Sequence, residues 1–255
     1  MRPSSERVVG EHLLLVTTAF PSMHEHPGAN GQAIHPNLGR LIQPRHTSSI
    51  EKTEAAGIPW AADNDCFQGL DPIAFERMLD RIRPVAGSTY DPETGVVTDR
   101  RATRLCKFVT VPDVVADAYA TAQQFERWAP AVERRGLPVG LVLQNGIDRA
   151  SMRRWLDRTW HRLDAVFVGG DDDFKLGPIA ADVAREAKSR GLWVHWGRVN
   201  SRTRMRYCVS TGACDSMDGS MWARFRKTHL DKGLGWLSEI PVERAAAAAQ
   251  MTLVA

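Results

Sequence analysis

Cysteine is scarce in this sequence. There are four, Cys66, Cys106, Cys208 and Cys214, and no two form a C-x-x-C pair. That excludes zinc-ribbon and dithiol redox motifs. Nothing in the spacing asks for disulfides, so a reduced, cytoplasmic setting is expected. Long apolar runs are also missing, and no stretch approaches the ~20 residues of a membrane span. The run 13–16 is too short for a secretory leader and passes straight into Thr17-Thr18. No G-x-G-x-x-G follows a predicted strand, which argues against dinucleotide binding. Charge of one sign is not in excess: the net charge is +3, which permits nucleic-acid binding without requiring it.

What is present is a rhythm. Apolar runs at 12–20, 58–63, 106–111, 138–143, 165–168 and 192–196 read as buried strands. A short strand at 215–218 closes the series. Helical patterns lie between them at 71–82, 116–135, 150–163, 178–190 and 203–211, and again from Trp222 onward. Asp71-Pro72 supplies an N-cap and a first-turn proline, and Gly136, Gly191 and Gly212 close helices. Seven or eight such units in 255 residues predict one (β/α)8 barrel, a TIM-like fold, with a doubly wound open sheet as the competitor. Two regions break the rhythm. Residues 21–57, rich in Gly, Pro, His and Asn, read as a long N-terminal loop or lid. Residues 84–105 read as an insertion holding a hairpin and the basic cluster Arg100, Arg101 and Arg104. His24 and His26 have metal-like spacing but no third ligand nearby, so they are taken as loop histidines.

Asp63, Asp113, Gln144, Gly169-Gly170 and Asp218 all fall at the C-terminal ends of predicted strands. In a barrel those ends share one rim, where active sites are built. Each residue alone is explained by capping the next helix. Five together, mixing acids, an amide and exposed backbone amides, exceed what capping needs. Two carboxylates facing one sugar are the minimum equipment for breaking and remaking a glycosidic bond.

The ordered set resembles the tRNA-guanine transglycosylase superfamily. Asp63-Asn64-Asp65-Cys66-Phe67-Gln68 is similar to its D-S-G-G-F-Q motif, keeping the Asp, Phe and Gln. Val111-Pro112-Asp113 matches the strand end whose Asp reads the purine. Gln144-Asn145-Gly146 looks like its Q-G-G, and Val168-Gly169-Gly170 like its V-G-G. Gly212-Ala213-Cys214-Asp215-Ser216-Met217-Asp218 is similar to its G-x-D-x-F-D nucleophile motif with one extra residue. The resemblance implies Asp218 as nucleophile and Asp63 as general acid and base. It implies Asp113, Gln144, Gly169, Gly170, Asp171 and Phe67 as substrate contacts. Arg198, Arg202, Arg204 and Arg206 are candidates for backbone phosphates.

The sequence departs from the tRNA-modifying members in lacking their C-x-C-x-x-C…H zinc segment; no cysteine follows Cys214. In this it looks more like compact phage-type DNA-guanine transglycosylases, which exchange guanine in DNA for a 7-deazaguanine such as preQ0. The expected partners are therefore DNA, with the target base flipped or single-stranded, and the free deazaguanine. No metal or other cofactor and no membrane are expected, and a homodimer is possible. The alternatives are the same exchange on tRNA, and a module that binds nucleic acid or deazapurine without chemistry. His195 is expected to be structural, and Trp193, Trp196 and Trp222 to be packing residues.

Overall fold

The computed structural model describes residues 14–18, 35, 37–48, 50–83, 89–90, 97–98, 105–146, 148–225 and 228–240. Eight parallel strands close a barrel in the order β1 (Leu14–Thr18), β2 (Leu38–Ile42), β3 (Trp60–Ala62), β6 (Cys106–Thr110), β7 (Val139–Leu143), β8 (Ala165–Val168), β9 (Trp193–Trp196) and β10 (Ser216–Asp218), the last pairing back to β1. β4 (Thr89–Tyr90) and β5 (Val97–Thr98) form a separate antiparallel ribbon. This agrees with the hairpin expected in the 84–105 insertion; Arg100, Arg101 and Arg104 lie outside the described residues. Closure rules out the open sheet.

The strand after residue 35 corrects the reading of 21–57 as loop throughout. That region holds β2 and α1 (Ile50–Ala55). The strand Leu-Gly-Arg-Leu-Ile is hidden in the sequence because a charge and a glycine interrupt it. Arg40 is nonetheless buried, donating to Thr53 Oγ1 at 2.7 Å and to the Ser48 carbonyl at 2.5 Å. Gly39 lets β2 approach Val16 and Pro59, whose atoms would stand 3.2 Å from any Cβ there. His24 and His26 lie outside the described residues.

The helices follow from their caps and apolar faces. α2 (Pro72–Ile82) starts at Asp71 and α3 (Ala118–Glu133) at Asp117. α4 (Arg149–Thr159) starts at Asp148, and α7 (Arg202–Ser210) at Ser201. In each, the capping side chain accepts from a first-turn amide, worth about 1 kcal/mol. α6 (Pro178–Ser189) buries Ala180, Val183, Ala184 and Ala187 against β8 and β9. After β10 come α8 (Ser220–Arg224) and a helix at 228–240. The latter buries Leu230, Leu234 and Leu237 in the core and brings Gly233 and Trp236 against Trp222. Trp193, Trp196 and Trp222 are buried, as expected of packing residues.

Inside the barrel, Val16, Leu41, Ala61, Phe108, Ala165 and Trp193 form a compact inner cluster. The outer core between strands and helices is larger and continuous. Apolar burial of this kind, about 25 cal/mol per Å², holds the eight strand ends in fixed register, and the candidate chemistry sits on those ends. No helix among the described residues is long and apolar enough to cross a membrane.

Candidate functional site

Asp63 follows β3 directly, its amide held by the Ile42 carbonyl at 2.8 Å. Its Oδ1 accepts from the Asn64 amide at 2.9 Å and faces the Thr110 hydroxyl at 3.4 Å. No Lys or Arg pairs with it among the described residues. Burial, and then the charges of Asp218, Asp113 and Asp65, push its pKa up to about 7. Asp218 ends β10 on the same mouth. Its Oδ1 accepts from the Arg198 backbone amide, while its Oδ2 lies 3.9 Å from His195 Nε2. Two carboxyl groups thus share one mouth, one of them poised to hold a proton near neutrality. Capping does not explain either residue.

Asp113 is oriented from both sides. Asn64 Nδ2 donates to its Oδ1 at 2.7 Å and Gln144 Nε2 to its Oδ2 at 2.6 Å. Burial raises its pKa, and these two amides oppose the rise. Gln144 is itself fixed by accepting from the Ala116 amide at 2.9 Å. The glycine at 169 leaves room for this amide, since a Cβ there would stand 3.0 Å from Gln144 Nε2. Gly170 adopts a φ of 76° and lies against Phe174 and Asn145, so a side chain is excluded twice over.

Among the described residues, three that are not glycine hold left-handed backbone: Asp65 after β3, Ala116 after β6 and Arg198 after β9. All three lie in loops leaving the C-terminal ends of strands. Such conformations cost about 1–3 kcal/mol each and persist where the surroundings over-determine them. The Arg198 turn is what points its amide at Asp218.

Of the predicted substrate residues, Phe67 and Asp113 line one cleft and Gly170 and Asp171 another, while Gln144 and Gly169 line neither. The first, of about 410 Å3, is lined by Cys66, Phe67, Asp113, Val115 and Gln124 among others. Its volume falls in the range of small-molecule clefts. Burial pushes the Cys66 thiol up to about 12, so it is not a thiolate at neutral pH. The second, of about 480 Å3, is lined by Gly170, Asp171, Lys175, Arg198, Asn200 and Arg204 among others. Phe67 and Arg198 link the two across the mouth: Phe67 is 62% exposed, and the guanidinium carbon of Arg198 stands 4.4 Å from its ring centre. A stacked pair of this kind is worth about 0.5–1 kcal/mol at an exposed site.

Some expected residues have structural partners as well. Asp171 caps α5 (Asp172–Lys175) through Oδ1, and its Oδ2 accepts from Asn145 at 3.0 Å. It does so while lining the second cleft. Of the four arginines, only Arg198 and Arg204 line the second cleft; Arg204 also grips Asp172 through both guanidinium nitrogens. Arg202 pairs with Glu239 at 2.8 Å instead, and Arg206 is exposed beyond the cleft lining. Helical spacing explains this split, because adjacent even-numbered positions do not share one face.

Two residues escaped sequence reasoning, and a third, His195, has a neighbour that reasoning did not foresee. Asn64 holds Asp113 and the Val111 carbonyl, and its only signal is its place beside Asp63. Lys175 is 5% exposed, and its Nζ reaches the Gly197 carbonyl at 3.4 Å. Burial lowers its pKa; Asp172 opposes this, while Arg198 and Arg204 add to it. His195 is 0% exposed, as expected of a structural residue, yet its ring edge faces Asp218. Its Nε2 has no hydrogen-bond partner among the described residues. A buried polar nitrogen left so costs about 1–3 kcal/mol. No three His, Cys, Asp or Glu side chains gather as a metal site among the described residues.

Fold and site together define a (β/α)8 barrel carrying two carboxyl groups at its C-terminal mouth. No family model matches the chain, and no curated protein matches it. Among solved structures, the chain is similar to the deoxyribose phosphate aldolase from Aeropyrum pernix described as having a unique tetrameric structure. The identity is 15%, the TM-score 0.47, and the match covers 71% of this chain and 73% of that one.

Proposed function

We propose that the protein is a base-exchange transglycosylase that replaces guanine in DNA with a 7-deazaguanine. The observation that carries the reading is Asp63. It is a carboxyl raised to about 7 on the same mouth as a second carboxylate, whose charge helps to raise it. A carboxyl raised toward neutrality in this way is suited to be a proton donor beside a second acid.

In the proposed first displacement, a lone pair of the Asp218 carboxylate forms a bond to C1′. The C1′–N9 pair leaves with guanine, which takes a proton from Asp63. In the second, the incoming base attacks C1′ through N9 and gives its proton to Asp63, and the C1′–O pair returns to Asp218. The nucleotide configuration is retained. Asp113 would accept from the guanine N1–H and exocyclic amine, since each carboxylate oxygen accepts more than the one hydrogen bond it already has. Adenine would leave that carboxylate without these donors. The Lys175, Arg198 and Arg204 side of the mouth would take the backbone phosphate next to the flipped base.

The test is release of labelled guanine from DNA, and in parallel from tRNA, on adding unlabelled preQ0. Release from DNA alone is expected. Release from tRNA alone would keep the mechanism and change the polymer. Release from neither, with no covalent adduct at Asp218, would leave a binding module and defeat the proposal.

A further inference from the structure

The ring of His195 fills the inner barrel between Phe108 and Phe167, with centroids 5.2 and 4.6 Å away. Its Nδ1 lies 2.8 Å from Ser216 Oγ, and Ser216 Oγ in turn accepts from Trp193 Nε1 at 2.8 Å. The indole N–H can only donate. Having accepted it, the serine hydroxyl has one proton to give. No other acceptor for that proton lies within reach among the described residues, so the hydroxyl donates to Nδ1. The ring proton of His195 then sits on Nε2. That atom is the orphaned one, and the group it faces is Asp218 Oδ2, 3.9 Å away. The other oxygen of Asp218 is held by the Arg198 amide, so the carboxylate is addressed from two sides.

We propose that His195 is a positioning residue for Asp218: its Nε2–H, set by the Trp193–Ser216 relay, orients the carboxylate and stabilises it as it leaves C1′. The inference rests on Asp218 being the nucleophile. It adds a residue that acts through Asp218 without touching the substrate. In the step where the C1′–O pair returns to Asp218, negative charge reappears on the carboxylate, and the N–H that stands 3.9 Å from Oδ2 closes on it by a movement of about 1 Å. The proton stays on Nε2 throughout, so no proton transfer is added to the exchange. The titratable groups facing this edge of the barrel are Asp218 and, through it, Asp63.

Two substitutions separate this role from packing. His195→Gln places an amide N–H near the position of Nε2. His195→Asn keeps a partner for Ser216 but withdraws the donor from Asp218. In glycosyl-enzyme trapping followed by chase with free base, the Asn variant is expected to release adduct about 10- to 100-fold more slowly than wild type, the worth of a hydrogen bond to a charged group. The Gln variant is expected to stay within about threefold of wild type on the same scale. Equal losses in both, or no loss in either, would overturn the positioning role. A second measurement does not depend on turnover. In 15N-histidine-labelled protein, His195 Nε2 should carry the proton and Nδ1 should not, and Asp218→Asn should shift the Nε2 resonance. A proton on Nδ1, or a resonance indifferent to Asp218→Asn, would overturn the proposal even if the protein exchanged no base. Absence of any adduct in wild type, with the expected resonances present, would defeat the transglycosylase reading and leave the His195–Asp218 pairing standing.

Discussion

Asp215 and Asp218 stand three residues apart, just before and at the end of the same strand, and their surroundings are opposite. Asp215 is spoken for: Lys188 Nζ meets its Oδ1, and the Val194 amide donates to its Oδ2 at 2.8 Å. Asp164, on the same end of the barrel, likewise accepts from the Val139 amide at 2.9 Å. At the other end, among the described residues, no basic side chain is bonded to Asp218 or Asp63; the ring edge of His195 stands 3.9 Å from Asp218. The left-handed residues Asp65, Ala116 and Arg198 all gather at that end too. The N-terminal end spends its acids on tying strands and helices together. The C-terminal end keeps acids in conditions that cost stability. A fold tolerates that where the groups have chemistry to do.

The comparison can be broken most directly by exchanging the roles. Asp218→Ala is expected to lower base exchange on the order of 10⁴-fold or more and to abolish the covalent adduct. Thermal stability should hardly change, because the lost bond is to one exposed loop amide. An adduct surviving in that variant would remove Asp218 from its role. Asp63→Asn should follow, with a loss of about 10²–10⁴-fold, the usual contribution of a positioned acid–base group. Wild-type adduct formation should decline as pH rises through about 7, where Asp63 loses its proton. The stability effect has a fixed sign. The folded pKa lies above the ~4 of an unfolded aspartate, so the folded state holds the extra proton. The stability contributed by Asp63 is complete below pH ~4 and is lost as pH rises through its folded value. Asp63→Asn should therefore be more stable than wild type at pH 8, by roughly 1–4 kcal/mol, and similar to it at pH ~4. Denaturant unfolding at the two pH values checks this.

Asp215→Ala should show the reverse pattern: exchange unchanged within a few-fold, but unfolding easier by about 1–3 kcal/mol because the Val194 amide loses its acceptor. In a chain of this size that lowers Tm by about 2–12 °C. Calorimetry beside an exchange assay reads both halves of the contrast. If Asp215→Ala abolishes exchange in a folded protein, the division of labour between the two ends is wrong.

The barrel was legible because its strands are continuous apolar runs bounded by Gly and Pro, and periodicity survives without knowledge of contacts. β2 was not, since Arg40 looks like a surface residue until Thr53 and Ser48 are seen around it. The acids of the rim were legible from their position after strands. Their partners were not. Asn64, Lys175 and His195 act through neighbours 49, 22 and 23 residues away in the chain, and no local pattern carries that. Asp171 shows a further limit: a capping aspartate and a cleft-lining aspartate occupy the same kind of sequence position, and here one residue is both.

The smallest effect expected concerns the arginines, and it sharpens the contrast within the C-terminal end itself. Arg204 lines the cleft beside Lys175, whereas Arg202, two residues earlier, is turned to Glu239. Arg204→Ala should weaken binding of a guanine-containing oligonucleotide and reduce the slope of log K against log salt by about one, the signature of one phosphate contact. Arg202→Ala should leave that slope unchanged. The two residues carry equal charge on one short helix, so a general attraction between basic surface and polyanion would move both slopes alike. A cleft that seats a phosphate moves only the first, which makes titration at several salt concentrations a test of geometry and not of charge.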